Sequence, residues 1–378
     1  MAQPEHPLGS NNVGGSPPAC QPVIDLHCHV HTPEVEALVA GRPEKAAAIT
    51  RSLAEQGPES SRHNAAHLLP DCTARMSDIG RRLSEMDGMG VDVQVLSPSP
   101  GQYYYWADFD LAAEIVRLQN THIARLVADH PKRLLGLGGV ALQHPALAVE
   151  QLDHAVRHLG LRGVEISTLI DGRDLDDPEF EAFWQRAEEL AAVVFIHPLG
   201  TSLGSRLDRF YLSNIIGQPL ETTIALSKLI FSGVLDRRPG LKLLAAHGGG
   251  YLPTYAARSD HAWANRPDSH AMARPLSDYL RQIHFDILLY KPEAVAALAA
   301  VVGVDRLVIG TDYPFDMGHY DVESLVAAIP SISDSEREAI LGGNALRLLN
   351  FDSNGLRNHR VDGCAHCADQ IALSPPLV

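Results

Sequence analysis

Val23-Ile24-Asp25-Leu26-His27-Cys28-His29 reads as a buried strand that ends in two histidines. Side chains two apart on a strand share a face, so His27 and His29 can both reach one ion. His31 shares that parity and is a rival ligand, although Thr32-Pro33 should end the strand close to His29. Taken alone, the pair could also be polar alternation on an edge strand. An open doubly wound sheet would carry a Gly-rich phosphate loop after its first strand. His27-Cys28-His29-Val30-His31 stands there instead.

Short apolar runs continue outward from this strand, at 23–29, 92–98, 134–142, 160–167, 192–198, 242–248, 283–289 and 305–312. Several are nearly continuous in Val, Ile, Leu and Ala, as strands buried on both faces of a parallel sheet require. Amphipathic stretches separate them, among them 108–130, 145–158, 178–191, 220–236 and 292–302. Strands alternating with helices imply right-handed crossovers. Eight such units predict an α/β fold, a (β/α)8 TIM-type barrel, with a small insertion after strand 1 and a C-terminal helix. The barrel should occupy 23–351, with 30–74 lying over its mouth and 199–219 forming a long pocket loop. Residues 334–351 read as the closing helix, 1–22 as a disordered tail and 352–378 as a loosely ordered one.

Other runs also end in groups that bind metals or protons. His197 closes the fifth in Phe195-Ile-His-Pro198, and Asp312 the eighth in Gly310-Thr-Asp-Tyr-Pro314. In a closed barrel these ends surround the same mouth as His27 and His29. Three imidazoles and a carboxylate suit Zn²⁺, with Mn²⁺ or Fe²⁺ as alternatives. Asp312 could instead shape a turn before Tyr-Pro. His247 ends the sixth run in front of Gly248-Gly-Gly250. It could move protons beside the metal, or be a fifth ligand or a buried structural histidine. No lysine occurs between Lys132 and Lys228, so no bridging lysine is available on strand 4 and one metal is expected. Glu165 is the only carboxylate that could replace it, and reads better as a buried, paired group. Cys364-Ala-His-Cys367 resembles half a zinc knuckle, with no second cysteine pair to complete it.

Composition narrows the class of partner. The chain has 378 residues, 45% of them hydrophobic, and a net charge of -15. That charge disfavours nucleic acid and anionic membranes. A small anionic substrate stays open, because a local cation overrides the global field. No apolar stretch approaches the ~20 residues of a membrane span. Five scattered cysteines fit a reducing cytoplasm better than a disulfide framework.

Taken together, Glu85-Met-Asp-Gly-Met-Gly-Val-Asp-Val-Gln-Val-Leu-Ser97, Tyr105-Trp-Ala107, Gly217-Gln-Pro-Leu-Glu-Thr-Thr-Ile-Ala225, Ala246-His-Gly-Gly-Gly250, Gly310-Thr-Asp-Tyr-Pro-Phe315 and Gly343-Asn-Ala-Leu346 resemble the amidohydrolase superfamily. Within it, they resemble the branch that holds the aminocarboxymuconate-semialdehyde and resorcylate decarboxylases. The resemblance implies a metal-dependent, non-oxidative decarboxylase. It would make His27, His29, His197 and Asp312 the ligands of one divalent ion, zinc first and manganese second. His247 would be the acid/base residue with Asp312, and Tyr103 and Arg258 would bind a small carboxylate. It also implies a homodimer in which Arg258 reaches the neighbouring site. Two departures stand out. Leu199 occupies a place where the aminocarboxymuconate enzymes carry tryptophan, and no arginine aligns near Pro70, Arg62 and Arg75 being the nearest. They point to an aromatic or unsaturated carboxylate with fewer anionic groups. A hydrolase or hydratase on the same centre is the rival enzyme, and a non-catalytic binding barrel the rival outside enzymology.

Overall fold

The computed structural model describes residues 21–362. Most of the expected N-terminal tail, together with Cys20 and Cys364-Ala-His-Cys367, falls outside them. The strands are β1 (Ile24–Val30), β2 (Val93–Pro98), β3 (Leu134–Gly136), β4 (Gly138–Gly139) and β5 (Gly163–Ile166). A small antiparallel hairpin follows, β6 (Leu169–Ile170) with β7 (Arg173–Asp174). Then come β8 (Val193–Ile196), β9 (Lys242–Ala245), β10 (Ile283–Asp286) and β11 (Leu307–Val308). All eight expected runs contain strands.

The pairing is parallel throughout the barrel, in the orders β1-β2-β3 and β4-β5-β8-β9-β10-β11. The two sheets meet at both edges. Only Leu137 separates β3 from β4, and its N–H donates to Leu96 O at 2.8 Å. On the other side Leu26 N–H donates to Ile309 O at 3.0 Å, and Asp25 pairs with Ile309. A parallel ring therefore surrounds an inner core of Ile24, Leu26, Val95, Phe195, Leu244 and Val308. The helix Asn344–Leu349 plugs one end, adding Ala345, Leu348 and Leu349 to that core. A second, larger core lies between strands and outer helices, where Trp184, Phe183 and Phe285 are buried. Burial at this scale contributes about 25 cal/mol per Å² of apolar surface.

The insertion is helical: Pro33–Val39, Pro43–His63 and Leu69–Ser77. The second helix breaks at Gly57-Pro58, where Gly57 has a φ of 77°. A Cβ on Gly57 would stand 1.7 Å from Asp208 O, so glycine alone lets the insertion close against the loop after β8. Thr201 N–H reinforces that contact by donating to Glu55 at 3.4 Å. Residues 352–362, the first part of the stretch expected to be loosely ordered, make polar contacts to the barrel. His359 N–H donates to Asp92 at 2.7 Å, Arg357 N–H to Lys132 O at 3.0 Å, and Arg360 pairs with Glu338. Polar contacts to the barrel, which an apolar-pattern reading does not register, hold this stretch.

Candidate metal centre

A register shift between Asp25 and Cys28 shapes the first strand. Ile24 and Leu26 face the inner core, whereas Cys28 and Val30 face the outer one. The shift turns His27 and His29 inward at the mouth, a bulge re-aiming side chains. Gln94 and Thr311 anchor the start of the turn: Gln94 Nε2 donates to Asp25 at 3.0 Å and Thr311 Oγ1 at 2.6 Å. Asp312 follows on a left-handed backbone (φ 57°), its N–H given to His27 O at 2.8 Å. His197 extends β8 with its N–H on Ile166 O at 2.9 Å.

These four side chains converge. His27 Nε2 and His29 Nε2 each lie 3.3 Å from Asp312 Oδ1. The His197 ring centroid is 4.9 Å from those of both His27 and His29. One donor atom from each of the four falls within 4.8 Å of all the others, and all four residues are buried. His27 Nε2, His29 Nε2, both nitrogens of His197 and Asp312 Oδ1 have no hydrogen-bond partner among the described residues. Burying that many polar atoms unsatisfied costs several kcal/mol, roughly 1–3 for each group, unless a ligand engages them. A divalent cation fits this donor set in number, type and direction. His31 stands outside the group, its N–H on Met76 O, and Glu165 lies behind His29, 3.7 Å from Nδ1.

Electrostatics favour a cation in the same place. Burial opposes ionisation of Asp312, yet the imidazoles around it, His27 foremost, hold its carboxyl well below the usual range. Burial likewise opposes charge on His27, but Asp312 and Asp286 hold it up at about 10. His197 goes the other way: burial first, then its histidine neighbours, depress it strongly and leave a neutral imidazole with lone pairs available.

Two carboxylates support the ligands from behind. Asp286, which sequence reasoning did not single out, accepts from His27 Nδ1–H at 2.7 Å and from His247 N–H at 2.9 Å. Its signal was slight: one acid inside the seventh apolar run, 283–289. Glu165 accepts from Ser97 and Tyr103 hydroxyls at 2.5 Å each. Burial raises its carboxyl above the ordinary value. Tyr103, expected to touch substrate, thus commits its hydroxyl hydrogen to Glu165. His247 also has a left-handed backbone (φ 56°), and its Nε2 lies 3.8 Å from Asp312 Oδ2.

The insertion, the loop after β8 and the segment after Asp312 share a cavity of about 320 Å³, lined by Glu59, His63, Asn64, Tyr211, Asp316 and Met317. Phe315 offers an aromatic wall, its ring 5.6 Å from that of His29. Arg75 is tied to Glu85 at 3.1 Å and to Asp71 at 3.4 Å, so it is not a free anion-binding group. Arg258 sits on the helix Leu252–Asn265, exposed and without an ion pair among the described residues.

The amidohydrolase family pattern matches residues 24–351. A 2-amino-3-carboxymuconate-6-semialdehyde decarboxylase of Dictyostelium discoideum is 36% identical over 275 residues, 72% of this chain and 77% of its own. A dihydroxybenzoic acid decarboxylase from Polaromonas, solved with manganese and the inhibitor 2-nitroresorcinol, is similar at a TM-score of 0.71 and 25% identity over 87% of this chain and 97% of its own. The 5-carboxyvanillate decarboxylase of Sphingomonas paucimobilis shares the fold at a TM-score of 0.77 and 24% identity, over 88% of this chain and 100% of its own. The chain belongs to the amidohydrolase family.

Proposed function

We propose, from membership of the amidohydrolase family, that this chain is a metal-dependent, non-oxidative decarboxylase of an aromatic or unsaturated carboxylic acid. The observation that carries the reading is the set of partnerless buried donor atoms on His27, His29, His197 and Asp312. Decarboxylases among the relatives supply the reaction class. The four residues would hold one divalent ion. Three imidazoles and a carboxylate favour zinc, and the Polaromonas relative makes manganese the alternative to test. A bound ion supplies a Lewis acid that polarises substrate oxygens and orients the acid.

The rest is the work of this chain's side chains. His247 Nε2 gives a proton to the carbon that carries the carboxylate, and Asp312 Oδ2 lies near enough to share it. A C–H bond forms, the C–C bond breaks, and its electron pair returns to the π system as CO2 leaves. Hydrogen replaces carboxylate, so no oxidant is needed. Phe315 and Tyr103 wall the substrate, the latter with its hydroxyl held by Glu165. Arg258, exposed and without an ion pair among the described residues, grips the substrate carboxylate of a partner subunit's site in a homodimer. A reducing cytoplasm suits the buried free thiols of Cys28 and Cys72.

The test is a panel of hydroxybenzoates, aminobenzoates and carboxymuconates offered to zinc- or manganese-loaded protein in ²H- and ¹⁸O-labelled water. CO2 release with deuterium at the vacated carbon is expected. Incorporation of ¹⁸O into the organic product without CO2 would make the protein a hydrolase or hydratase instead.

A further inference from the structure

Asp286 ends β10 with no exposed surface. A carboxylate buried so fully is costly unless its lone pairs are saturated. Four donors close on it, two per oxygen. His27 Nδ1–H at 2.7 Å and His247 N–H at 2.9 Å meet Oδ2. Gly248 N–H at 2.9 Å and Leu288 N–H at 3.2 Å meet Oδ1. These donors belong to different parts of the site. One is a side chain of the metal-binding group. Two come from the turn that carries the proposed proton mover, where His247 and Gly248 have φ of 56° and 62°.

We propose that Asp286 is a positioning residue that couples the ion-holding and proton-moving halves of the centre. The inference rests on the metal and proton roles argued above. On one side, the bond to Nδ1 fixes the hydrogen there. It makes Nε2, 3.3 Å from Asp312 Oδ1, the nitrogen of His27 that an ion would take in place of a proton. Such an outer carboxylate sets ring orientation and strengthens the imidazole as a donor. On the other side, the backbone N–H bonds hold a left-handed turn that a residue with a Cβ adopts only under constraint. That turn aims His247 Nε2 at Asp312 Oδ2. One rigid group thus sets the distance between ion and proton.

Asp286→Asn is the sharp test, because the amide keeps size and shape. Its nitrogen cannot accept, and in either orientation it faces two of the four donors. Zinc dissociation constants from chelator competition on substrate-free protein should rise about 10–100-fold. With zinc saturating, kcat should also fall about tenfold or more while KM changes little. A variant that loses one property and keeps the other overturns the coupling. A lower Tm with zinc affinity and kcat both retained reduces Asp286 to an ordinary structural acid, and overturns it too. Should the Asn variant fail to fold, Asp286→Ala with added formate serves. Formate should restore zinc affinity and turnover together, and failure to restore either in folded protein counts against the proposal. The metal reading itself is judged apart: His197→Ala should lose zinc. If it does while Asp286→Asn binds zinc normally, only the present inference falls.

Discussion

His247 carries two tasks that can be separated experimentally. Its ring lies against the ligand group, 5.2 Å by centroid from His27 and 5.3 Å from His197, yet it is absent from the four-residue cluster. Its left-handed backbone is fixed from outside by Asp286, through the N–H rather than the ring. Alanine has a Cβ as histidine has, so His247→Ala adds no new backbone strain at that φ. The variant should therefore keep its metal, measured by elemental analysis, and lose about 10²–10⁴-fold in turnover, the range of a general acid. Metal lost in step with activity would instead make His247 a ligand. The sequence carried much of this centre in plain sight: His27, His29, His197, His247 and Asp312 each end an apolar run. Asp286 was harder to see. It stands inside its run, 283–289, rather than at the end as they do, and the histidine whose ring it holds is 259 positions away.

At the scale of elements, the strands were legible because a parallel barrel demands nearly uninterrupted apolar runs. What the runs cannot show is where the register slips. The shift in β1 puts Ile24 and Leu26 inward, then Cys28 and Val30 outward. Strict alternation would place His27 and His29 on the opposite face from Leu26. The docking of 352–362 was equally hidden, since it depends on polar contacts between distant segments. The strand β10 shows how one element divides its duties. Ile283 and Phe285 pack outward, Asp286 serves the centre, and His284 is 9% exposed, its Nδ1 buried without a hydrogen-bond partner among the described residues. Burial, and then the charge of Arg306, pushes His284 down to about 4. Unfolded, it would titrate near its ordinary value of about 6.5. The unfolded chain thus binds this proton more readily, and the stability held above about pH 6.5 falls as pH drops towards 4. The shift corresponds to about 3 kcal/mol. Urea unfolding of metal-free protein between pH 7 and 4 should show a loss of that order beyond the loss in His284→Gln. Parallel pH curves for the two proteins would sink the assignment.

For the whole molecule, the question is what a chain of net charge -15 uses to attract an acid. The cavity at the mouth contributes Glu59 and Asp316. The nearest arginine of the insertion, Arg75, is already spent on Glu85 and Asp71. No helix among the described residues is long and apolar enough to cross a membrane. Arg82, buried beside the first strand, is likewise committed, to Gln94 at 2.8 Å and to His29 O, so within one subunit a bound ion would add the positive charge that these arginines do not offer a substrate. Arg258 is exposed on the helix Leu252–Asn265, where Tyr251 at the N-cap and Tyr255 are also exposed, at 37% and 64%. Residues 251, 255 and 258 follow the four-then-three spacing of one helix face, so two aromatic rings and a guanidinium are presented together. Aromatic residues and arginine are the side chains that subunit interfaces favour. A guanidinium carried across such an interface can grip a carboxylate with two parallel hydrogen bonds, which lysine cannot reproduce. Arg258→Ala should then retain metal yet lose most of kcat/KM. Mixed with inactive His247→Ala under conditions of subunit exchange, it should recover activity. In a mixed dimer one of the two sites has both His247 and a partner arginine, while the other lacks both. Half of randomly paired dimers are mixed, so recovery should approach about a quarter of the wild-type value, given that a conserved interface leaves the rebuilt site intact. If exchange is verified by differently tagged subunits and no activity returns, Arg258 serves its own subunit or none.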